Sequence, residues 1–144
     1  MRIAFALVVA LCFSPALARA GEEDVTAQIE EMHGDAAGFN DAFEAITSAM
    51  AESNAQTLAA FAEYPLLVHN GDNTYNVKSP DEFVDNIDDY VTDETQQIIA
   101  NQNYDQLFVN GDGVMFGDGA LWMARACDNA DCSEGHWFIK SISQ

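Results

Sequence analysis

Apolar residues recur at two different spacings along this chain. Phe39, Phe43, Ile46 and Met50 fall at i, i+4, i+7 and i+11, which predicts one amphipathic helix with a single buried stripe. From Leu107 onward the pattern changes to short runs rich in Val, Phe, Trp, Met and Ile, broken by Gly-Asp turns. Those runs predict strands at 107–110, 114–116, 120–127 and 136–143. Between the two regions the punctuation is dense. Glu52-Ser53-Asn54 interrupts the first helix, and Asn54 or Ser53 can cap a second, short one carrying Leu58 and Phe61. It ends ahead of Pro65, since the residue before proline avoids helical angles. Residues 65–69 read as a strand, Asn70-Gly71-Asp72-Asn73 as a turn, and 74–78 as the returning strand of a hairpin. Ser79-Pro80-Asp81-Glu82 then announces a helix: a capping serine, proline at the first helical position, and Glu82 placed to close a capping box. Phe83, Ile87 and Tyr90 (or Val91) form its buried stripe. A further start at Thr92-Asp93 leads into a short helix with Ile98 and Ile99.

The two ends of this pattern carry different messages. Residues 3–13 are continuously apolar after Met1-Arg2, and Ala18-Arg19-Ala20 offers small residues at the −3 and −1 positions of a cleavage site. Residues 1–20 therefore read as a secretory signal, too short to span a bilayer, which takes about 20 apolar residues. Leu11 before Cys12 does not suit lipid attachment, so the mature chain is expected to start near Gly21, in the periplasm or outside a bacterial cell. Residues 21–35 are acidic and weakly periodic through Val25, Ile29 and Met32; they form either a frayed first helix or a mobile leader. Residues 36–144 make the domain, large enough to bury a core of its own.

Charge sharpens the picture. The sequence holds 24 acidic residues, and beyond residue 20 only Lys78, Arg125 and Lys140 oppose them. Such a surface repels nucleic acid and anionic lipid. It serves solubility in a salty medium, or it imitates an acidic ligand for a basic partner. Once the signal is gone, Cys127 and Cys132 remain, flanking Asp128-Asn129-Ala130-Asp131. In an oxidising compartment they are expected to form a structural disulfide at the mouth of a hairpin. A redox-active pair is disfavoured by the acidic surroundings and by four intervening residues.

Helix, short helix, hairpin, capped helix and a long meander resembles the NTF2-like (SnoaL-like, cystatin-like cone) superfamily. Pro65-Leu66-Leu67-Val68, Ser79-Pro80-Asp81-Glu82-Phe83, Leu107-Phe108-Val109-Asn110 with Gly113-Val114-Met115, Gly117-Asp118-Gly119-Ala120-Leu121-Trp122 and Phe138-Ile139-Lys140-Ser141-Ile142 look like its small exported bacterial members. The likeness covers about residues 36–143. It implies an α+β fold, a curved antiparallel sheet wrapped around N-terminal helices. It leaves activity open, because isomerases, dehydratases, cyclases and binding modules share that fold.

Strand alternation, with Arg125 and Lys140 taken as outward, turns Trp122, Trp137 and Ile139 into the cone. Phe43, Tyr64, Tyr75, Tyr90, Trp122 and Trp137 are then the pocket-lining candidates, and Leu121, Met123 and Phe138 form an outer face through which related cones often pair as homodimers. His69, ending the first strand, is the weak catalytic candidate; a surface histidine is the plainer account of it. The Asp-rich turns miss the spacing of a calcium loop, and no metal or cofactor is expected. The expectation is an exported binding module for a small apolar molecule or a protein partner. The alternatives are a small cofactor-free lyase or isomerase, and an acidic inhibitor or immunity protein against a basic enzyme.

Overall fold

The computed structural model describes residues 17–144, with side chains from Gly21 onward. The reading of residues 1–20 as an export signal, and Cys12 with it, concerns side chains outside that description.

The chain is α+β. Three helices open it: α1 (Leu17–His33), α2 (Ala36–Ala51) and α3 (Ala55–Phe61). The hairpin β1 (Ala62–Asn70) and β2 (Asn73–Val77) follows, then α4 (Pro80–Asp85), α5 (Ile87–Tyr90) and α6 (Asp93–Ala100). A single 3-10 turn leads into β3 (Phe108–Asn110) and β4 (Gly113–Phe116), and another precedes β5 (Leu121–Cys127) and β6 (Gly135–Ser143). The six strands form one open sheet in the order β2-β1-β6-β5-β4-β3. All neighbours are antiparallel except β1 and β6, which run parallel. The sheet is therefore mixed.

Local chemistry explains most boundaries. Asp35 caps α2 by accepting from the Gly38 amide, Asn54 caps α3 at Thr57, and Thr92 caps α6 at Thr95. Ser79 caps α4 as its sequence announces, while the Glu82 carboxylate reaches one residue further back, to the Lys78 amide at 2.9 Å. The stripe Phe83, Ile87, Tyr90 is not one helix: Asn86 leaves helical geometry (φ −123°, ψ 26°) and splits it into α4 and α5. Of the two readings of residues 21–35, the helix is realised. α1 buries Val25 and fully buries Ile29, packing on α2 and on β3. At the start of β4, Gly113 (φ 143°) sits where a side chain would strike the Met123 carbonyl across the pairing with β5.

The core lies between the helices and one face of the sheet. Phe39, Ile46 and Met50 of α2, Leu58 of α3, Phe83 of α4 and Ile99 of α6 meet Leu66, Val68, Val114, Phe116, Leu121, Met123, Ile139 and Ile142. Ile98, paired with Ile99 in the sequence reading, faces outward.

Candidate functional site

The space beneath the sheet is filled by rings. Phe39 of α2 lies 4.9 Å from Trp137 at a steep angle and 6.2 Å from Phe116. Phe43 stacks on Phe116 at 5.6 Å and meets Tyr104 edge-on at 5.1 Å. The Trp137 indole donates to the Asp35 carbonyl at 3.1 Å, so its single polar atom is satisfied. A second aromatic group sits under the hairpin, where Tyr90 packs on Tyr75 and on Phe83. Tyr64 stands apart, its hydroxyl donating to the Ala59 carbonyl at 3.0 Å.

These environments move the phenols. Burial pushes Tyr64 up to about 12. Burial also raises Tyr90, helped by the charges of Glu82 and Asp89. Tyr104 is raised by burial and, less, by Glu22, against a lowering hydrogen bond with Thr26. All three hydroxyls are held in the protonated form, which suits packing and hydrogen donation.

The six pocket-lining candidates thus do not converge on one space. Phe43 and Trp137 share the central cluster, Tyr75 and Tyr90 the hairpin cluster, Tyr64 closes the end of α3, and Trp122 lies on the opposite face. That last placement corrects the alternation argument. Leu121 and Met123 are fully buried against the helices, so neither belongs to an outer face. Arg125 shares their inward side, and Trp122, Ala124 and Ala126 point the other way. On β6, Trp137 and Ile139 do face inward, but Ile142 joins them. Trp122 pairs with Ser141 and Met123 with Ile139, which leaves Lys140 as an extra residue in the pairing. Such a bulge shifts the alternation of the strand by one. Phe138 is half-buried on the outer face.

Taking a guanidinium as a marker of solvent fails here because this one is provided for indoors. The Arg125 side chain is only 9% exposed, with Nε 3.5 Å from the Asp35 carboxylate, an ion pair in which that nitrogen makes no hydrogen bond. Its Nη1 donates to the His33 carbonyl at 3.2 Å and approaches the Cys132 carbonyl at 3.5 Å. Close by, the His33 ring meets Trp137 edge-on at 5.2 Å, and its Nε2 lies 2.9 Å from the Asn110 carbonyl. Together Arg125, Trp137 and His33 tie the α1–α2 junction to the sheet. Nothing in the spacing of Arg125 announces this. Its one signal is an apolar strand carrying a single charge.

The outer face is built differently. Register alone sets Asn76, Leu67, Ser141, Trp122, Met115 and Phe108 side by side in one row across all six strands. Phe108 is 50% exposed and Leu67 39%, and the Phe108 and Trp122 rings meet edge-on at 6.3 Å. Of the 24 acidic residues, Glu63 alone lies in a strand. Its carboxylate engages His136 Nε2 at 3.1 Å, while Asp128 takes Nδ1 at 2.7 Å. Imidazole bonded to a carboxylate at both nitrogens is the charged form, with two donors. The hydrogen bonds to Glu63 and then Asp128 raise its pKa, against a smaller opposing effect of burial.

His69 stands at the β1–β2 edge, 3.2 Å from the Thr74 hydroxyl. The clefts lie elsewhere. One of about 560 Å³ opens at the end of the sheet among Asn70, Thr92, Glu94, Asp118 and Gln144. Another of about 520 Å³ runs along α1 past Glu22, Thr26 and Glu30. Among the described residues, no group of three His, Cys, Asp or Glu side chains is placed to hold a metal ion. Comparison of the chain with protein-family models, with curated proteins and with solved structures finds no match in any of the three. What the molecule does is therefore argued from its own surfaces. Cys127 and Cys132 form a disulfide with Cα atoms 4.8 Å apart, and no helix among the described residues is long and apolar enough to cross a membrane.

Proposed function

We infer that this chain is an exported, NTF2-like module that works by protein contact across the outer face of its sheet, without catalysis. The element order, the strand order and the helices against one face of the sheet support the superfamily reading. The bridged cysteines and the apolar first residues support export. The filled interior moves the balance from a small apolar ligand to a protein: Phe39, Phe43, Tyr104, Phe116 and Trp137 occupy the space a ligand would need. His69 lacks the closed cavity and the tyrosine partner that a proton-transfer base requires.

The observation that carries the reading is the apolar, acid-free row Leu67, Trp122, Met115, Phe108. The partner that fits it is a second copy of this chain. Two strongly anionic molecules meet with least repulsion through the face whose strands carry a single acid, Glu63, leaving the acidic helical sides pointing apart. Phe138 falls on this face, whereas Leu121 and Met123 do not.

Light scattering of the mature protein at micromolar concentration tests this. A dimer that Trp122→Glu converts to a folded monomer is the expected result, and added salt should tighten pairing by screening the acids. A monomer at every concentration would remove self-pairing. Capture of a basic protein, lost at high salt, would instead favour the acidic-inhibitor alternative.

A further inference from the structure

We propose that the Cys127–Cys132 bridge is an exchangeable disulfide, in which an incoming thiolate attacks Cys127 and Cys132 is the sulfur that leaves. Both cysteines are exposed at the end of the β5–β6 hairpin. Their surroundings differ. Arg125 Nη1 lies 3.9 Å from Cys132 Sγ, and the guanidinium that carries it is only 9% exposed. The contact itself lies at the exposed rim of that side chain, so water screens part of the charge and the short distance carries the effect. Each cysteine has an acid as its chain neighbour, Asp128 after Cys127 and Asp131 before Cys132, so the guanidinium is what sets them apart. A cation beside one sulfur stabilises that sulfur as thiolate and makes it the better leaving group. The nearby Asp35 carboxylate engages Arg125 at Nε, leaving Nη1 directed at the His33 carbonyl and at Cys132.

The step balances without a metal or a bound redox group. The lone pair of an external thiolate forms a new S–S bond with Cys127 Sγ. The Cys127–Cys132 bond breaks, and its electron pair stays on Cys132 Sγ beside the guanidinium. A second external thiolate then attacks the external sulfur of the mixed disulfide, forming the external disulfide and freeing Cys127 as thiolate. The two external thiols supply the two electrons. The co-reactant class is a small neutral or cationic thiol, because Asp128, Asp131 and Glu134 surround the bridge with negative charge and repel an anionic one. The same guanidinium holds the His33 carbonyl and Asp35, so opening the bridge acts on the α1–α2 junction.

The test is regiochemical. Folded mature protein is treated briefly with β-mercaptoethanol, quenched in acid, alkylated with N-ethylmaleimide while still mildly acidic, and mapped by mass spectrometry. The expected product carries mercaptoethanol on Cys127 and the alkyl group on Cys132, in excess over the reverse by roughly tenfold. Cysteamine should react faster than thioglycolate. In Arg125→Gln the preference should fall to about one to one. An even or reversed distribution in the native sequence would overturn the proposal, as would a preference that survives Arg125→Gln or a bridge that forms no mixed disulfide without denaturant. Should Arg125→Gln not fold, the fully reduced native sequence still decides. Iodoacetamide should then modify Cys132 before Cys127 at neutral pH, and the opposite order would sink the idea.

Discussion

The two faces of the sheet are made from alternate residues of the same strands, yet they are finished in different ways. Toward the helices, Leu121, Met123, Ile139 and Ile142 are fully enclosed, and the one charge among them, Arg125, is matched by Asp35 and the His33 carbonyl. Away from the helices, Trp122, Met115, Phe108 and Leu67 remain partly or largely in water. The inner face spends a rare arginine on fastening; the outer face keeps nearly all acids at a distance. A sheet that needed only solubility would carry its charges on the exposed side. Here every acid but Glu63 sits on the helices, turns and loops, which leaves the row around Trp122 free for contact.

Neighbouring residues on β5 give the largest test of this contrast. Met123→Ala should cost about 3 kcal/mol in urea denaturation, as buried large-to-small changes do. Trp122→Ala, measured at protein concentrations too low for association, should cost about 1 kcal/mol or less. Equal losses would show that the two faces are not finished differently. Next in size, Arg125→Gln should destabilise by about 2 kcal/mol, since it strips the His33 carbonyl of its donor and Asp35 of its counter-charge. Amide exchange in α1 should rise more than in α6. A loss below about 0.5 kcal/mol would mean that this arginine fastens nothing.

The smallest effect concerns His136. Its folded pKa is raised above the unfolded value of about 6.5. The contribution is therefore complete below about pH 6.5 and disappears as pH climbs through the folded value. With the side chain 50% exposed, water screens the pair, and roughly 0.5 kcal/mol is the most to expect. The denaturation midpoint should decline slightly with rising pH in the native protein and lose that slope in His136→Gln. A steeper decline, or one that persists in the variant, would place the sensitivity elsewhere.

Local signals read well from sequence because they act over a few residues. The caps at Asn54, Ser79 and Thr92, the stripe of α2, the Asn70–Asn73 turn and the strands of the meander all follow from neighbours in the chain. Which way each strand faces does not. That depends on Asp35 and His33 lying about ninety residues from Arg125, and on the extra residue at Lys140, which no alternation rule anticipates. The same limit hid the role of α1. Val25 and Ile29 are too few to declare a helix by periodicity, and its burial comes from α2 and β3 rather than from its own pattern. The candidate site is the least legible part, since strand alternation puts Trp122 and Trp137 on one side and they lie on opposite ones.

β6, the last strand along this sequence, occupies the middle of the sheet, between β1 and β5. Until β6 is available, the β1–β2 hairpin and the β3–β5 meander have no shared edge and cannot become one structure. The parallel seam joins Leu67 to Ser141 and Val68 to Ile142, so the chain must close a loop of more than seventy residues before its core is complete. Anything that withholds β6 therefore leaves two separate pieces of sheet with open edges where one continuous sheet should stand.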